Sequence, residues 1–299
     1  MVMLMNEFKN YHPIVNFIYF VFVIGFSMFF MHPLCLGISL VSGFTYSVMM
    51  KGRKAVKFNL AYMLPMMLAM AVINPVFNHK GITILCYLPS GNPLTFESIV
   101  YGVASSAMIF SVLCWFSCYN EIMTSDKFIY LFGRIIPAMS LIISMTLRFV
   151  PRFASQLKVV TNAQKCMGRD MSKGSIIKRA KHGINILSIM ITWSLENAIG
   201  TADSMKARGY GMPGRTAYSV FAFDKRDKKA LVCILLFGAY TLTGKIMGGI
   251  NFNYFPSMTG TTFSLFEISI FVSYLVLCMC PIIIELWEVR RWKALRLKI

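Results

Sequence analysis

The chain has 299 residues, of which 57% are hydrophobic and 14% are charged, and its formal net charge is +18. A soluble globular protein carries about 25% charged residues, so the composition excludes that class and indicates a polytopic membrane protein. The basic charge does not indicate nucleic-acid binding, because Lys and Arg alternate along the chain with apolar segments of membrane length.

Six apolar segments are predicted to cross the membrane as helices. Residues 10–50 contain no Asp, Glu, Lys or Arg. This stretch is too long for one span of about 20 residues, so we expect a helical hairpin divided at His32-Pro33. Helices are required because lipid satisfies no backbone polar group. The predicted spans are residues 14–31, 34–50, 58–79, 98–120, 230–249 and 264–284.

Basic residues set the predicted orientation. A cluster from Lys51 to Lys57 follows the second span, and the C-terminal tail carries Arg290, Arg291 and further basic residues. Cytoplasmic loops retain such charges. The sequence therefore predicts an all-α, multi-pass membrane protein with about six spans and with both termini in the cytoplasm.

Residues 128–147 do not fit this scheme easily, because Arg134 and Pro137 interrupt their apolar pattern. The following segment, 148–229, holds 16 Lys and Arg against 5 Asp and Glu. An external location would contradict the positive-inside pattern. We therefore favour an interfacial or bundle-buried helix for 128–147. Two further crossings, by 128–147 and 184–200, remain an alternative.

The chain is divided into three parts on this basis. The first is an N-terminal transmembrane bundle, residues 1–147. The second is a cytoplasmic segment of long, exposed helices, residues 148–229. The third is a C-terminal transmembrane hairpin with a basic tail, residues 230–299.

Two long helices are predicted within the cytoplasmic segment. The first extends from about Pro151 to Met167, and Gly168 is a stop signal. The second extends from about 176 to 208, and Gly209 can take the left-handed position that follows many helices. At 1.5 Å per residue the second helix is about 50 Å long. Its apolar stripe has helical spacing: Ile184, Leu187, Ile191, Leu195 and Ala198.

Arg208 is predicted to lie at the tip of the second helix. Its planar guanidinium can pair with a carboxylate through two hydrogen bonds, which suits insertion into an acidic pocket of a partner. The alternative is a basic amphipathic helix that lies on anionic lipid headgroups. Gly211, Pro213 and Gly214 follow Arg208, and such a turn is unlike a lipid-surface helix.

Several motifs together resemble the transmembrane T component of energy-coupling factor (ECF) transporters, the family that also contains the cobalt-transport Q component. Singly each motif is weak, but the likeness extends over nearly the whole chain. The motifs are His12-Pro13, Leu147-Arg148-Phe149-Val150-Pro151, Ala163-Gln164 with a glycine four residues later, Ala202 to Thr216, and Asp224-Lys225-Arg226-Asp227.

The resemblance implies two short Ala-Arg-Gly motifs at the ends of two cytoplasmic coupling helices, whose arginines dock into two ATP-binding-cassette subunits. The second motif is intact as Ala207-Arg208-Gly209. The first reads Cys166-Met167-Gly168, so Met167 replaces the arginine. The flanking Lys165 and Arg169 are candidates to supply the charge, and a partner with an apolar groove is the other interpretation.

The resemblance further implies mechanical coupling of ATP hydrolysis to uptake of a vitamin or a metal ion. The implied partners are two ATPase subunits, a separate substrate-binding S component and the lipid bilayer, and the implied location is a prokaryotic cell membrane. The chain has no Walker-type phosphate loop, so ATP is expected on the partner subunits, with no cofactor or catalytic residue in this chain.

Two other function classes compete with this interpretation. A membrane-embedded enzyme would need converging catalytic groups, and the candidate carboxylates Glu121, Asp126, Glu196 and Asp203 form no recognisable pair. A stand-alone secondary carrier would favour ionisable residues near the middle of the bilayer. Lys245 and Glu267 lie instead near the ends of their predicted spans.

Overall fold

The computed structural model describes residues 7–59, 61, 64–87, 93–133, 136–170, 175–210, 212, 221–260 and 264–296. The chain forms two compact units. One, here the bundle unit, comprises Met1–Phe128 and Phe221–Ile299. The other, the helical-arm unit, comprises Ile129–Val220.

Helices dominate both units. A short 3₁₀ helix, Glu7–Asn10, precedes the first α-helix. The α-helices are α1 (Pro13–Phe29), α2 (Pro33–Lys51), α3 (Arg53–Phe58), α4 (Leu64–Phe77), α5 (Phe96–Ile122), α6 (Ser125–Gly133), α7 (Pro137–Cys166), α8 (Ile176–Ala207), α9 (Lys225–Ile246) and α10 (Leu265–Arg296). Two antiparallel hairpins join β1 (Ile84–Tyr87) to β2 (Pro93–Thr95) and β3 (Phe252–Asn253) to β4 (Thr259–Gly260).

The first two membrane helices begin with the same local device. His12 precedes α1, and its Nδ1 accepts a hydrogen bond from the backbone N–H of Ile14 at 3.3 Å. His32 does the same for α2, with Leu34 as donor at 3.3 Å. A proline follows each histidine, and proline is favoured at the first helical position because its missing N–H would have no partner there. The predicted division at His32-Pro33 is therefore confirmed.

A buried polar cluster joins four helices of the bundle unit. The hydroxyls of Ser27 and Ser39 lie 2.6 Å apart, and Trp115 donates its indole N–H to Ser39 at 3.1 Å. The Tyr274 hydroxyl lies 3.4 Å from that of Ser27. These residues belong to α1, α2, α5 and α10, so the cluster fixes how the helices pack while leaving their buried polar groups satisfied.

The bundle unit has two distinguishable ends. At one end, the backbone N–H of His12 donates to Asp227 Oδ1 at 3.2 Å, which joins the start of α1 to the start of α9. At the other end, the Tyr254 hydroxyl donates to the carbonyl of Met31 at 2.6 Å, which joins the β3–β4 hairpin to the α1–α2 turn. The apolar helices run alternately between these ends, as the six predicted crossings require.

Four of the described helices are long and apolar enough to cross a membrane: α2, α5, α9, and α10 over Leu265–Arg291. The all-α polytopic fold is confirmed. Two predicted spans are shorter than expected, since α1 has 17 residues and α4 has 14. The third span, predicted as one helix over 58–79, contains α4 from Leu64 to Phe77. Residues 59 and 61 are also in a helical conformation, and residues 60, 62 and 63 lie outside the described residues.

The final helix is longer than the last predicted span, which ended at residue 284. α10 continues to Arg296 and carries two further carboxylates into the bundle. Glu285 is 1% exposed and Glu288 is 7% exposed. Sequence reasoning missed both because it treated the first cluster of charges as the end of the membrane segment.

The expectation for residues 128–147 also needs correction, because they do not form one helix. α6 ends at Gly133, and α7 begins at Pro137 and continues without interruption to Cys166. Pro137 favours a helix start, whereas Pro151 is tolerated inside the helix. The predicted boundary at 147/148 consequently lies inside α7, and that at 229/230 lies inside α9. The division by membrane location stays a prediction.

Candidate functional site

The C-terminal end of α7 forms a Schellman motif. The N–H of Gly168 donates to the carbonyl of Lys165 at 3.0 Å, and the N–H of Arg169 donates to that of Gln164 at 2.9 Å. Gly168 has a φ of 76°, a left-handed conformation that glycine adopts without a steric cost. The predicted stop at Gly168 is confirmed, with Met167 as the capping residue between helix and glycine.

The C-terminal end of α8 has the same geometry. The N–H of Gly209 donates to the carbonyl of Lys206 at 2.9 Å, and the N–H of Tyr210 donates to that of Met205 at 3.0 Å. Gly209 has a φ of 74°. Its left-handed conformation, expected from sequence, is confirmed, and Arg208 is the capping residue.

Met167 and Arg208 therefore occupy equivalent backbone positions. Both side chains leave the helix at the cap, where the chain turns away through the left-handed glycine. Met167 is 59% exposed, and Arg208 is also exposed. Ala207 and Cys166 precede them at the last helical positions, and both are exposed. The two motifs differ in the chemistry that they present and not in how they present it.

The charges beside Met167 are not equivalent to that of Arg208. Lys165 Nζ lies 3.8 Å from a carboxylate oxygen of Asp170, so part of its charge is compensated locally. Arg169 is exposed and lies two residues beyond Met167, after the left-handed turn. Lys165 and Arg169 thus place positive charge near the end of α7. Neither side chain starts from the capping position that Arg208 occupies at the end of α8.

α7 and α8 contact each other through aromatic side chains. The rings of Phe153 and Trp193 pack edge to face with centroids 6.1 Å apart, and the guanidinium of Arg152 lies 5.8 Å from the Trp193 ring. Each helix continues about 20 Å beyond this contact to its cap. Because residues 167–175 join the end of α7 to the start of α8, the two caps lie on opposite sides of the contact.

A polar cavity of about 770 Å³ lies between the first half of α7 and the second half of α8. Arg148, Glu196, Arg208 and Tyr210 contribute to its lining. Arg208 thus borders a groove of its own unit as well as solvent. Sequence reasoning noted Arg148 and Glu196 separately and did not place them beside Arg208, because the antiparallel arrangement of α7 and α8 is a tertiary feature.

The predicted apolar stripe of α8 is present, and it is exposed. Ile184, Leu187 and Leu195 are 66%, 57% and 62% exposed. A different face of the helix is buried, through Ile186 at 3% and Met190 at 1%. An exposed apolar stripe of this length on a helix marks a surface that contacts lipid or another protein.

The structure also joins two motifs that are far apart in the sequence. Asp227 accepts hydrogen bonds from its own helix start, at the N–H of Asp224 (3.0 Å), and from the N–H of His12 (3.2 Å). One carboxylate therefore caps α9 and anchors α1. The remaining predicted turn residues, Gly211, Pro213, Gly214 and Arg215, lie outside the described residues.

Comparison with known proteins identifies relatives for part of the chain. No protein-family profile matches it. The chain is similar to the energy-coupling factor transporter transmembrane protein EcfT of Bacillus selenitireducens, with 37% identity over 112 residues, which are 37% of this chain and 42% of that protein. The EcfT of Lactobacillus helveticus is 41% identical over 98 residues, which are 32% of this chain and 35% of the relative.

A longer match extends to the EcfT of Acidaminococcus fermentans, with 32% identity over 168 residues, which are 52% of this chain and 62% of that protein. These relatives confirm the resemblance to the T-component family. The matched segment spans less than two thirds of each of these relatives. The names of the relatives describe transmembrane proteins of a transporter, in agreement with the apolar helices of this chain.

Proposed function

We propose that this chain is the T component of an ECF-type importer, which couples ATP hydrolysis by two partner ATPase subunits to substrate uptake through a separate S component. The observation that carries the proposal is the pair of identical helix caps at Met167 and Arg208, in a chain whose relatives are named EcfT. Two helix ends with the same backbone geometry, each presenting one side chain at its cap, suit docking into two similar ATPase subunits.

The position of the caps supports this assignment. They terminate the two longest helices of the helical-arm unit and lie on opposite sides of the Phe153–Trp193 contact. A movement of either tip is transmitted along a continuous helix to that contact. We propose that the pair of helices acts in this way as a lever that links the movements of two ATPases.

The exposed stripe of α8 is proposed to contact the S component. Its members from Ile184 to Leu195 are apolar and solvent-facing in the isolated chain, so covering them with an apolar partner is favourable. The transported vitamin or metal ion is bound by the S component and not by this chain. We propose that both termini and the helical-arm unit lie on the cytoplasmic side, and the excess of Lys and Arg supports this proposal.

Purification of the tagged full chain from its own host membranes tests the proposal. We expect two ATP-binding-cassette ATPases to co-purify, and the complex to hydrolyse ATP while the chain alone does not. Uptake into proteoliposomes should require the ATPases and an S component. Substrate transport by the purified chain alone, driven by an ion gradient, would contradict the proposal and favour a secondary carrier.

A further inference from the structure

A continuous furrow runs along the outer surface of α9 and α10 in the bundle unit. It consists of two adjoining cavities of about 600 Å³ and about 800 Å³. Both are lined by Lys229, Cys233 and Phe237, which makes them parts of one groove. We call this groove the α9–α10 furrow.

The middle of the furrow is apolar and open. Leu236 and Val272 are 66% and 55% exposed, and Ile283 is 54% exposed. Along α10 the lining residues follow helical spacing from Ser269 to Arg291, so a single face of that helix forms one wall. The furrow therefore offers a long apolar surface that the chain itself does not cover.

One end of the furrow is strongly basic. Lys225, Arg226, Lys229 and Arg291 line it, together with the rings of Tyr11 and Trp287. The guanidinium of Arg226 lies 4.5 Å from the Tyr11 ring centroid. Glu288 is the acidic residue of this lining, is 7% exposed, and lies 4.0 Å from Arg291. The exposed charge at this end is consequently positive, with aromatic rings beside it.

The length of the apolar part matches one leaflet of a bilayer. From Lys229 to Tyr240 the helix rises about 16 Å. Half of a hydrocarbon core of about 30 Å is about 15 Å. An acyl chain that begins at the basic end therefore reaches the end of the furrow near the middle of the membrane.

We propose that the α9–α10 furrow binds one anionic phospholipid from the leaflet at the basic end. Its phosphate lies among Lys225, Lys229 and Arg291, and one acyl chain lies along Cys233 and Phe237. Basic pockets between membrane helices on the cytoplasmic side bind such headgroups, and the aromatic side chains suit the interface. Charge and length together favour a lipid over a protein helix, which would need no cationic cluster at the end of an apolar groove. The assignment does not depend on the coupling role.

Native mass spectrometry of the purified full chain tests the site with phosphatidylglycerol, using phosphatidylcholine as the neutral comparison. We expect one phosphatidylglycerol to be retained preferentially. The double variant Lys229→Gln/Arg291→Gln should lower that affinity about thirtyfold, because each cation near an anionic headgroup contributes about a factor of five. The matched control Lys178→Gln/Lys181→Gln removes the same charge from exposed positions of α8 and should leave it unchanged. Equal retention of both lipids, or an equal loss in both double variants, would overturn the proposal.

A second measurement uses the unmodified chain, so it does not depend on the folding of a variant. Cys233 is an exposed thiol inside the furrow, and Cys166 is an exposed thiol in the helical-arm unit. Phosphatidylglycerol should slow alkylation of Cys233 and leave that of Cys166 unaffected. Unchanged labelling at Cys233, or its cross-linking to a co-purified protein in place of lipid, would contradict a lipid site.

A bulky side chain gives a third test. Cys233→Trp fills the furrow where its two cavities meet and should abolish the retained lipid. Leu235→Trp introduces the same side chain at an exposed position of the same helix outside the furrow and should leave the lipid bound. Retention of phosphatidylglycerol by Cys233→Trp would place the lipid elsewhere and overturn the assignment.

Discussion

The caps of α7 and α8 have the same backbone and opposite side-chain chemistry. Each ends in a Schellman motif with a left-handed glycine, at φ 76° and 74°. Met167 occupies in the first the position that Arg208 occupies in the second. The comparison separates two roles of a short motif: glycine and the helix end set the direction, and the preceding side chain sets what is recognised. The first role is retained in both helices, although the arginine is retained in only one.

The largest effect is expected at Arg208. Arg208→Ala removes the side chain that we propose pairs with a partner carboxylate, and truncation of such interface arginines costs about 2 kcal/mol or more. That corresponds to about 30-fold weaker association with the ATPase subunits. Co-purification and uptake measure the effect. Arg208→Lys should restore little, because a lysine cannot form the bidentate pair. Full uptake by Arg208→Ala would show that the Arg208 side chain is not needed for coupling, and the difference between Met167 and Arg208 would then have no functional consequence.

A smaller effect is expected at Met167. Met167→Gln keeps the length of the side chain and makes it polar, so it should weaken association about fivefold if the first tip docks into an apolar groove. Arg169→Gln is the matched control, since it removes the neighbouring exposed charge and keeps Met167. A larger loss in Arg169→Gln than in Met167→Gln would show that a displaced cation replaces the missing arginine.

Alanine substitutions at Gly168 and Gly209 should destabilise their helix ends to modestly different extents. Alanine at either position is strained by about 1 kcal/mol, because a left-handed conformation is unfavourable for a residue with a Cβ. At Gly209 the new Cβ would also lie 2.9 Å from Met212 Sδ, whereas at Gly168 it would enter open space. Hydrogen exchange of the last helical turn should therefore accelerate more in Gly209→Ala than in Gly168→Ala. Faster exchange in Gly168→Ala than in Gly209→Ala would contradict the predicted close contact with Met212.

A final effect, which depends on pH, concerns Lys127 of α6. This residue is 6% exposed, and its ammonium group donates to the carbonyl of Lys9. Burial lowers the pKa of Lys127 to about 8. The unfolded chain, with an ordinary lysine pKa of about 10.4, then binds more protons than the folded chain above pH 8. Stability should rise between pH 8 and pH 10 through this group. Thermal unfolding in detergent should show a shallower rise in Lys127→Gln. An unchanged slope would contradict the assignment.

Local sequence patterns were sufficient for several parts of the fold. The caps at Gly168 and Gly209 follow from helix-end rules that involve only neighbouring residues, and the start of α2 at His32-Pro33 follows from proline at the first helical position. The extension of α10 past residue 284 shows the limit of the approach. A hydropathy pattern ends where charged residues begin, even when their carboxylates, here those of Glu285 and Glu288, are buried in the bundle.

By itself the sequence determined that this is an all-α membrane protein with two long basic helices that end at Gly168 and Gly209, because composition, charge and helix-end signals act over a few residues. Only the tertiary structure decided that Met167 and Arg208 lie on opposite sides of the Phe153–Trp193 contact. It likewise decided that α9 and α10 leave an apolar furrow with a basic end. Both depend on which helix faces pack together, and packing between distant segments is not encoded in any local pattern.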